Sequence, residues 1–119
     1  MMSPFAGRTA LVVDDEFLIA SMIEDILVRQ GIEVLTATRT DEATEVLKGR
    51  KVDFALIDYQ MRAVPSESLW TELTAQAIPF AFCTGSVASD MAARFPGILI
   101  VPKPFGEEEI VGAASKLLK

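Results

Sequence analysis

The feature that most constrains this chain is a regular alternation of short apolar runs with amphipathic stretches. Five strand-sized runs are predicted at 9–13, 32–37, 52–57, 78–83 and 98–101. Helices are predicted at 17–30, at 40–49 with Thr40 or Asp41 as cap, at 65–76, at about 89–95 and at 106–118. Because parallel strands need crossover connections, this order predicts an open parallel α/β sheet covered on both faces.

Composition limits the class of protein. At 119 residues, with no repeat or linker, we predict a single domain over residues 1–119. No apolar run approaches the roughly 20 residues that cross a bilayer, and no signal-peptide pattern is present, so no membrane partner is expected. A lone cysteine, Cys83, allows no internal disulfide and favours a reducing, cytoplasmic setting. A net charge of −6 argues against direct nucleic-acid binding.

Residues suited to chemistry stand at the carboxyl ends of the predicted strands. Asp14 and Asp15 follow the first strand, Asp58 the third, Thr84 the fourth and Lys103 the fifth. Open α/β sheets bind ligands beyond these ends, where the strand order reverses. If the order is 2-1-3-4-5, the first and third strands are neighbours there, so three carboxylates converge.

Three adjacent carboxylates raise one another's pKa unless a cation neutralises them. Mg²⁺ suits one or two carboxylates together with waters and phosphate oxygens. A lysine and a hydroxyl would complete a site for phosphoryl transfer, which needs no histidine base, and this chain has no histidine. One carboxylate could then be the nucleophile and form an aspartyl-phosphate. Taken singly, each residue could also be a helix cap, a turn or a surface residue.

Four motifs resemble the response regulator receiver family over nearly the whole chain. They read LVVDDE at 11–16, ALIDYQM at 55–61, FCTGS at 82–86 and VPKPF at 101–105. Spacings agree as well, with 44 residues from Asp14 to Asp58 (58 − 14) and 26 from Asp58 to Thr84 (84 − 58). The resemblance implies a flavodoxin-like (βα)5 fold with a doubly wound, parallel five-stranded sheet in the order 2-1-3-4-5.

The resemblance also implies roles for the residues at these positions. Asp58 is expected to accept a phosphoryl group from a histidine kinase or histidine phosphotransferase. Asp15 and Asp58 are expected to bind Mg²⁺ directly with the backbone carbonyl of Gln60, and Asp14 to bind it through a water. The two remaining residues of the site contact the phosphoryl group in this family: Thr84 by a hydrogen bond and Lys103 by its charge.

The chain departs from the family pattern in several places, among them Arg62 and Ser66, which stand where proline and glycine are usual. Ile100 stands three residues before the lysine, where an aromatic residue is usual. The interval from Thr84 to Lys103 is 19 residues (103 − 84) and shorter than usual, so the fourth predicted helix is expected to be short or irregular. The motifs partly resemble a subgroup of single-domain regulators, common in alphaproteobacteria. The strand-4 motif of that subgroup reads Phe-Ala-Thr-Gly followed by an apolar residue and Tyr, whereas Ser86 and Val87 occupy the last two places here.

Several functions stay open at this point. The chain can be a phosphorylatable switch with an unidentified downstream partner, a phosphate sink or relay without an effector, or a receiver cut from a longer hybrid kinase. A flavodoxin-like fold with unused acids is the fourth alternative. Catalysis on small molecules is not expected, because no dinucleotide fingerprint, P-loop or nucleophile elbow is present. Only self-phosphorylation from a donor and autodephosphorylation are expected.

Overall fold

The computed structural model describes residues 4–59, 67–84, 93, 97–103 and 105–118. Its strands are β1 (Thr9–Val13), β2 (Glu33–Ala37), β3 (Phe54–Asp58), β4 (Phe80–Thr84) and β5 (Leu99–Pro102). Its helices are α1 (Phe17–Arg29), α2 (Thr40–Gly49), α3 (Glu67–Ala75) and α4 (Glu107–Leu117). The short helix predicted at about 89–95 lies outside the described residues apart from Ala93, and so does the predicted start of the third helix at 65–66.

The five strands form one parallel sheet in the order β2-β1-β3-β4-β5. This confirms the predicted order and places the strand reversal between β1 and β3. In the register of the sheet, Val13 pairs with Ile57 and Asp58 pairs with Cys83. The carboxyl ends of β1, β3 and β4 therefore reach the same edge of the sheet, where the candidate residues were predicted to meet.

Two apolar cores lie on opposite faces of the sheet, as expected when side chains alternate along each strand. In β3, Phe54 and Leu56 belong to one core, whereas Ala55 and Ile57 belong to the other. The first core packs under α1 and α4, and the second packs under α2 and α3. Helices on both faces confirm the doubly wound arrangement. Among the described helices, none has the length and apolar character needed to cross a bilayer.

Two predicted strands begin two residues later in the structure than in the sequence pattern, and two others begin one residue later. Val52 and Ile78 were assigned to strands, yet β3 begins at Phe54 and β4 begins at Phe80. Both side chains are buried, and the backbone N–H of Ile78 donates to the carbonyl of Leu73 at the end of α3. Each apolar run thus begins before its strand, because residues in the preceding connection also cover the core.

The predicted cap of the second helix is wrong. Arg39 occupies the N-cap position of α2, and Thr40 is the first helical residue. The backbone N–H of Thr38 instead donates to Glu42 Oε1 at 2.8 Å, so a carboxylate from within the helix binds the backbone before it. Asp41 and Glu42 also place negative charge in the first turn, which favours the positive end of the helix dipole.

Candidate functional site

Three carboxylates meet where the strand order reverses. Asp14 follows β1 directly, Asp15 comes next, and Asp58 is the last residue of β3. Each offers one oxygen such that the three atoms lie within 4.8 Å of one another. Asp14 and Asp58 are buried, with 1% and 3% of their surface exposed, and Asp15 is partly exposed. The predicted convergence of carboxylates is therefore present, with two of them inside the protein.

Lys103 lies against two of these carboxylates. Its Nζ is 3.3 Å from Asp58 Oδ1 and 3.8 Å from Asp14 Oδ2. Its backbone N–H donates to the carbonyl of Thr84 at 2.8 Å, so the pairing of β4 with β5 fixes where the side chain starts. Burial lowers the pKa of Lys103, but the charges of Asp58 and Asp14 outweigh it and raise that pKa above its ordinary value. The ammonium group therefore stays charged.

Burial places the Asp14 carboxylate in an electrostatically unfavourable position. Its Oδ1 accepts a hydrogen bond from the backbone N–H of Glu16 at 2.9 Å, whereas its buried Oδ2 accepts none from the described residues. Burial, with the neighbouring charges of Asp58 and Asp15, raises the pKa of Asp14 from 3.8 to about 6. The Glu16 N–H and Lys103 oppose this rise only in part.

This donor set fits a hard divalent cation. Mg²⁺ prefers oxygen ligands, often one or two carboxylates, and completes its octahedral shell with water and phosphate oxygens. A buried carboxylate oxygen that accepts no hydrogen bond from the described residues, next to two further carboxylates, meets that requirement. Gln60, predicted to contribute a backbone carbonyl, lies outside the described residues.

Thr84 reaches the same edge of the sheet from β4. It is the last residue of that strand and is fully buried. Asp58 pairs with Cys83 in the register of the sheet. Thr84 is the next residue of β4, so it lies one residue closer to the carboxyl edge than Cys83. The five predicted site residues that the structure describes therefore lie at one edge of the sheet: Asp14, Asp15, Asp58, Thr84 and Lys103.

Two features near the site were not identified from the sequence. Cys83 is buried beside Asp58, and burial, chiefly, raises the pKa of its thiol to about 12, so the group is a neutral part of the wall. Behind the site, the rings of Tyr59, Phe82 and Trp70 contact one another. The available signals were that Tyr59 directly follows Asp58 and that Phe82 lies two residues before Thr84 on one face of β4.

The chain is similar in sequence and in fold to response regulator receivers. Residues 10–115 match the response regulator receiver domain family. The fold superposes on a response regulator receiver protein from Sinorhizobium medicae with a TM-score of 0.81 and 26% identity, covering 93% of this chain and 94% of that chain. For the chemotaxis response regulator CheY4 of Vibrio cholerae the TM-score is 0.82 at 22% identity, covering 99% and 100%, which shows likeness of fold.

Longer regulators match as well. The phosphate regulon transcriptional regulatory protein PhoB of Pseudomonas aeruginosa is 31% identical over 123 residues, covering 95% of this chain and 52% of that protein. The chain spans about half the length of the curated relatives it matches. Receivers of this family take phosphoryl groups from histidine kinases, and they typically bind Mg²⁺ in an acidic pocket like the aspartate cluster here. The chain belongs to the response regulator receiver domain family of two-component signalling.

Proposed function

We propose that Asp58 is the phosphoacceptor of this receiver. The observation that carries the proposal is its contact with Lys103, whose Nζ is 3.3 Å from Asp58 Oδ1 at an edge that holds two further carboxylates. Asp14 is less well placed, because the Glu16 N–H occupies its Oδ1 and its Oδ2 is 3.8 Å from Lys103 Nζ. Asp58 is also the carboxylate nearer to Lys103.

The proposed reaction is direct phosphoryl transfer. A carboxylate oxygen of Asp58 attacks the phosphorus of a phosphohistidine, the O–P bond forms and the P–N bond breaks. The imidazole leaves with the electron pair of that bond and takes a proton from solvent. An ionised carboxylate has no proton to lose, so the step needs positioning and charge stabilisation rather than a general base. Lys103 supplies positive charge beside the phosphoryl oxygens, and the Thr84 hydroxyl donates a hydrogen bond to one of them.

We propose that Mg²⁺ is the cofactor, bound directly by Asp15, Asp58 and the backbone carbonyl of Gln60 and through a water by Asp14. When bound, the ion offsets the negative charge of the carboxylates and of the phosphoryl oxygens. Support comes from Asp14, whose buried Oδ2 accepts no hydrogen bond from the described residues. Asp15, partly exposed, gives the cluster its open side toward solvent.

The phosphodonor protein is proposed to dock on α1. Among the described residues, the exposed large apolar side chains all lie on this helix: Phe17, Leu18, Met22 and Val28, exposed by 72, 81, 37 and 53%. The helix begins two residues after Asp15, so Phe17 and Leu18 stand beside the acidic edge. Apolar side chains exposed next to a phosphoacceptor suit a protein partner, a histidine kinase or histidine phosphotransferase. The net charge of −6 supports a protein partner over nucleic acid.

The residues of this receiver are proposed to form one unit over 1–119, because every described strand belongs to one sheet and every described helix packs on it. The cytoplasmic setting suggested by composition stays a prediction. Protein partners beyond the phosphodonor stay unidentified.

The assignment of Asp58 is tested by incubating the protein with acetyl phosphate and Mg²⁺ and measuring intact mass. Wild type should gain the mass of one phosphoryl group, and Asp58→Asn should gain none. Asp53→Asn is the matched control, because Asp53 lies just before the other end of β3 and an asparagine oxygen can still accept the hydrogen bond that Thr9 N–H now donates to it. Equal labelling of wild type and Asp58→Asn would show that another residue is the acceptor.

Two further measurements extend this test. Leu18→Ser should slow transfer from a phosphorylated histidine kinase but leave labelling by acetyl phosphate unchanged, because the small donor needs no docking surface. Equal slowing with both donors would place the effect in the site instead of on α1. The lifetime of the phosphoryl group then separates a switch, which holds it long enough to engage a partner, from a sink, which loses it within seconds.

A further inference from the structure

We propose that three contacting rings, Tyr59, Phe82 and Trp70, couple the state of the phosphoryl site to the exposed surface of α3. We call these three side chains the ring triangle. The proposal rests on the proposed role of Asp58, and it concerns what moves when that residue is modified. Through the ring triangle, helix α3 becomes the surface that reports phosphorylation.

The ring triangle is closed by three direct contacts. Tyr59 stacks on Trp70 with ring centroids 6.2 Å apart and ring planes 12° apart. Phe82 meets Tyr59 edge-on at 5.4 Å and Trp70 edge-on at 5.1 Å. Stacked and edge-to-face pairs have defined geometries, so displacing one ring disturbs its contacts with both others. The triangle therefore responds as one unit.

Two corners of the triangle are joined to the site through the backbone. Tyr59 directly follows Asp58, and its N–H donates to the carbonyl of Cys83 at 3.0 Å. Phe82 precedes Thr84 by two residues in β4, and alternation puts both side chains on the same face of the sheet. A change of position at either Asp58 or Thr84 is thus transmitted to a ring within two residues.

The third corner leads to the surface. Trp70 lies on α3, is half-buried, and lines a shallow surface depression with Thr71, Thr74 and Ala75. Beside Phe82 on the neighbouring strand, β5 contributes Ile100, which is aliphatic. In the described structure, Phe82 contacts the rings of Tyr59, Trp70 and Phe80. Of these three residues, Trp70 is the one that lies on a helix.

Close packing supplies the physical reason for coupling. Protein interiors have few voids, so a displaced side chain moves its neighbours into another arrangement instead of being absorbed locally. Phe82 is 1% exposed and belongs to the apolar core, whereas Tyr59 and Trp70 are half-buried and reach the surface. We therefore expect a displacement of side chains that begins at Asp58 or Thr84 to reach the surface at Trp70 on α3.

The sequence makes this testable without labels. The chain has one tryptophan and one tyrosine, so its tryptophan fluorescence comes from Trp70 alone and Tyr59 is the single tyrosine that can transfer energy to it. The experiment adds beryllofluoride and Mg²⁺ to the intact chain. Fluorine NMR on the same sample measures whether the adduct forms, independently of fluorescence. We expect the emission maximum of Trp70 and its quenching by iodide to shift as the adduct forms.

Variants then separate the ring triangle from a direct effect of charge on Trp70. Tyr59→Leu and Phe82→Leu should each form the adduct and lose the shift in emission. Tyr59→Phe keeps the ring and should keep the shift, and Phe80→Leu is the control that removes a ring outside the triangle. If the adduct changes the packing of Trp70, then changing Trp70 must change the affinity for the adduct, because coupling acts equally in both directions. Trp70→Leu should therefore change the affinity for beryllofluoride by about fivefold or more.

The outcomes are distinct. An adduct by fluorine NMR with unchanged Trp70 emission in wild type overturns the coupling but leaves the function of Asp58 intact. A shift of equal size in both Tyr59→Leu and Phe82→Leu overturns it as well, because the signal then bypasses the rings. Absence of the adduct in wild type overturns the proposed function itself. Should a leucine variant form no adduct, amide hydrogen exchange along α3 of wild type decides: unchanged protection of α3 on adduct formation refutes the coupling.

Discussion

Removing the charge of Asp14 should stabilise the metal-free protein. Asp14 is 1% exposed and its Oδ2 accepts no hydrogen bond from the described residues, so its ionised form is held in an unfavourable place. In Asp14→Asn the side chain keeps an oxygen for the N–H of Glu16, which donates at 2.9 Å. The new amide can donate toward the neighbouring carboxylates, among them Asp58. The substitution therefore removes a buried charge at little cost in packing.

The magnitude follows from the pKa. Burial raises the pKa of Asp14 from 3.8 to about 6 in the folded chain, whereas the unfolded chain keeps the ordinary value. A raised carboxyl pKa means that the stabilising effect of protonation is complete below pH 3.8 and is lost as pH rises to about 6. At about 1.4 kcal/mol per pKa unit, the wild type loses up to about 3 kcal/mol of unfolding free energy over this window. Asp14→Asn should lose none of it.

Urea unfolding in EDTA, followed by far-UV circular dichroism, measures this difference. We expect the variant to exceed wild type by up to about 3 kcal/mol at about pH 7.5, and the gap to close below about pH 4. Asp25→Asn is the control, because Asp25 is exposed on α1, and it should give a small difference at every pH. Arg50 and Arg39 lower the pKa values of Glu33 and Asp41, so these two carboxylates make the unfolding free energy rise with pH. This contribution is the same in wild type and in both variants, so it cancels in the comparison.

A wild type more stable than Asp14→Asn near neutral pH without metal would refute the reasoning, since the charge would then stabilise the fold. With excess Mg²⁺ the order should change, because a ligand that binds the native state alone stabilises it by mass action. Wild type should gain unfolding free energy and the variant should gain less. Equal gains would show that Asp14 takes no part in holding the ion.

Three further predictions concern other parts of the molecule. Lys103→Met should lower the unfolding free energy by about 1–2 kcal/mol near neutral pH, since the buried carboxylates lose a charge 3.3–3.8 Å away; unchanged urea unfolding would contradict this. Gly31→Ala should cost about 1–2 kcal/mol, because φ is +83° and the new Cβ meets Ala6 at 3.3 Å, whereas Gly112→Ala, with open space in α4, should add about 0.5–1 kcal/mol. Leu56→Ala should cost about 2–5 kcal/mol in thermal or urea unfolding, and Leu18→Ala, which is 81% exposed, should stay within about 0.5 kcal/mol of wild type.

The fold was largely predictable because its signals are local. Continuous apolar runs such as that of β3 are typical of strands buried on both faces, and the helices between them imply parallel connections. The strand boundaries were not predictable from the same signal. Val52 and Ile78 are buried outside the strands, so the apolar pattern marks burial and not backbone pairing. Which residue caps α2 was also missed, because Glu42 reaches back to Thr38 from within the helix.

The members of the site were predictable, and their energetics were not. Position after a strand placed Asp14, Asp58, Thr84 and Lys103 at one edge, since parallel strands end on the same side. That Asp14 is buried to 1% while Asp15 is partly exposed depends on which way each side chain turns after β1. Spacing in the sequence carries no information on that. The ring triangle was missed for the same kind of reason, because Trp70 reaches Tyr59 only after α3 packs on the sheet.

The charge balance of the site links its parts. Among the described residues, Lys103 is the cation that contacts this cluster of three carboxylates, at Asp58 and Asp14, so the ionised cluster of described residues has an excess of negative charge. A phosphoryl group on Asp58 adds further negative charge to a place where burial already raises the pKa of Asp14 to about 6. A phosphoryl group on Asp58 should therefore raise the pKa of Asp14 further when no cation is bound. Because a divalent cation offsets this negative charge, metal binding and phosphorylation should favour each other.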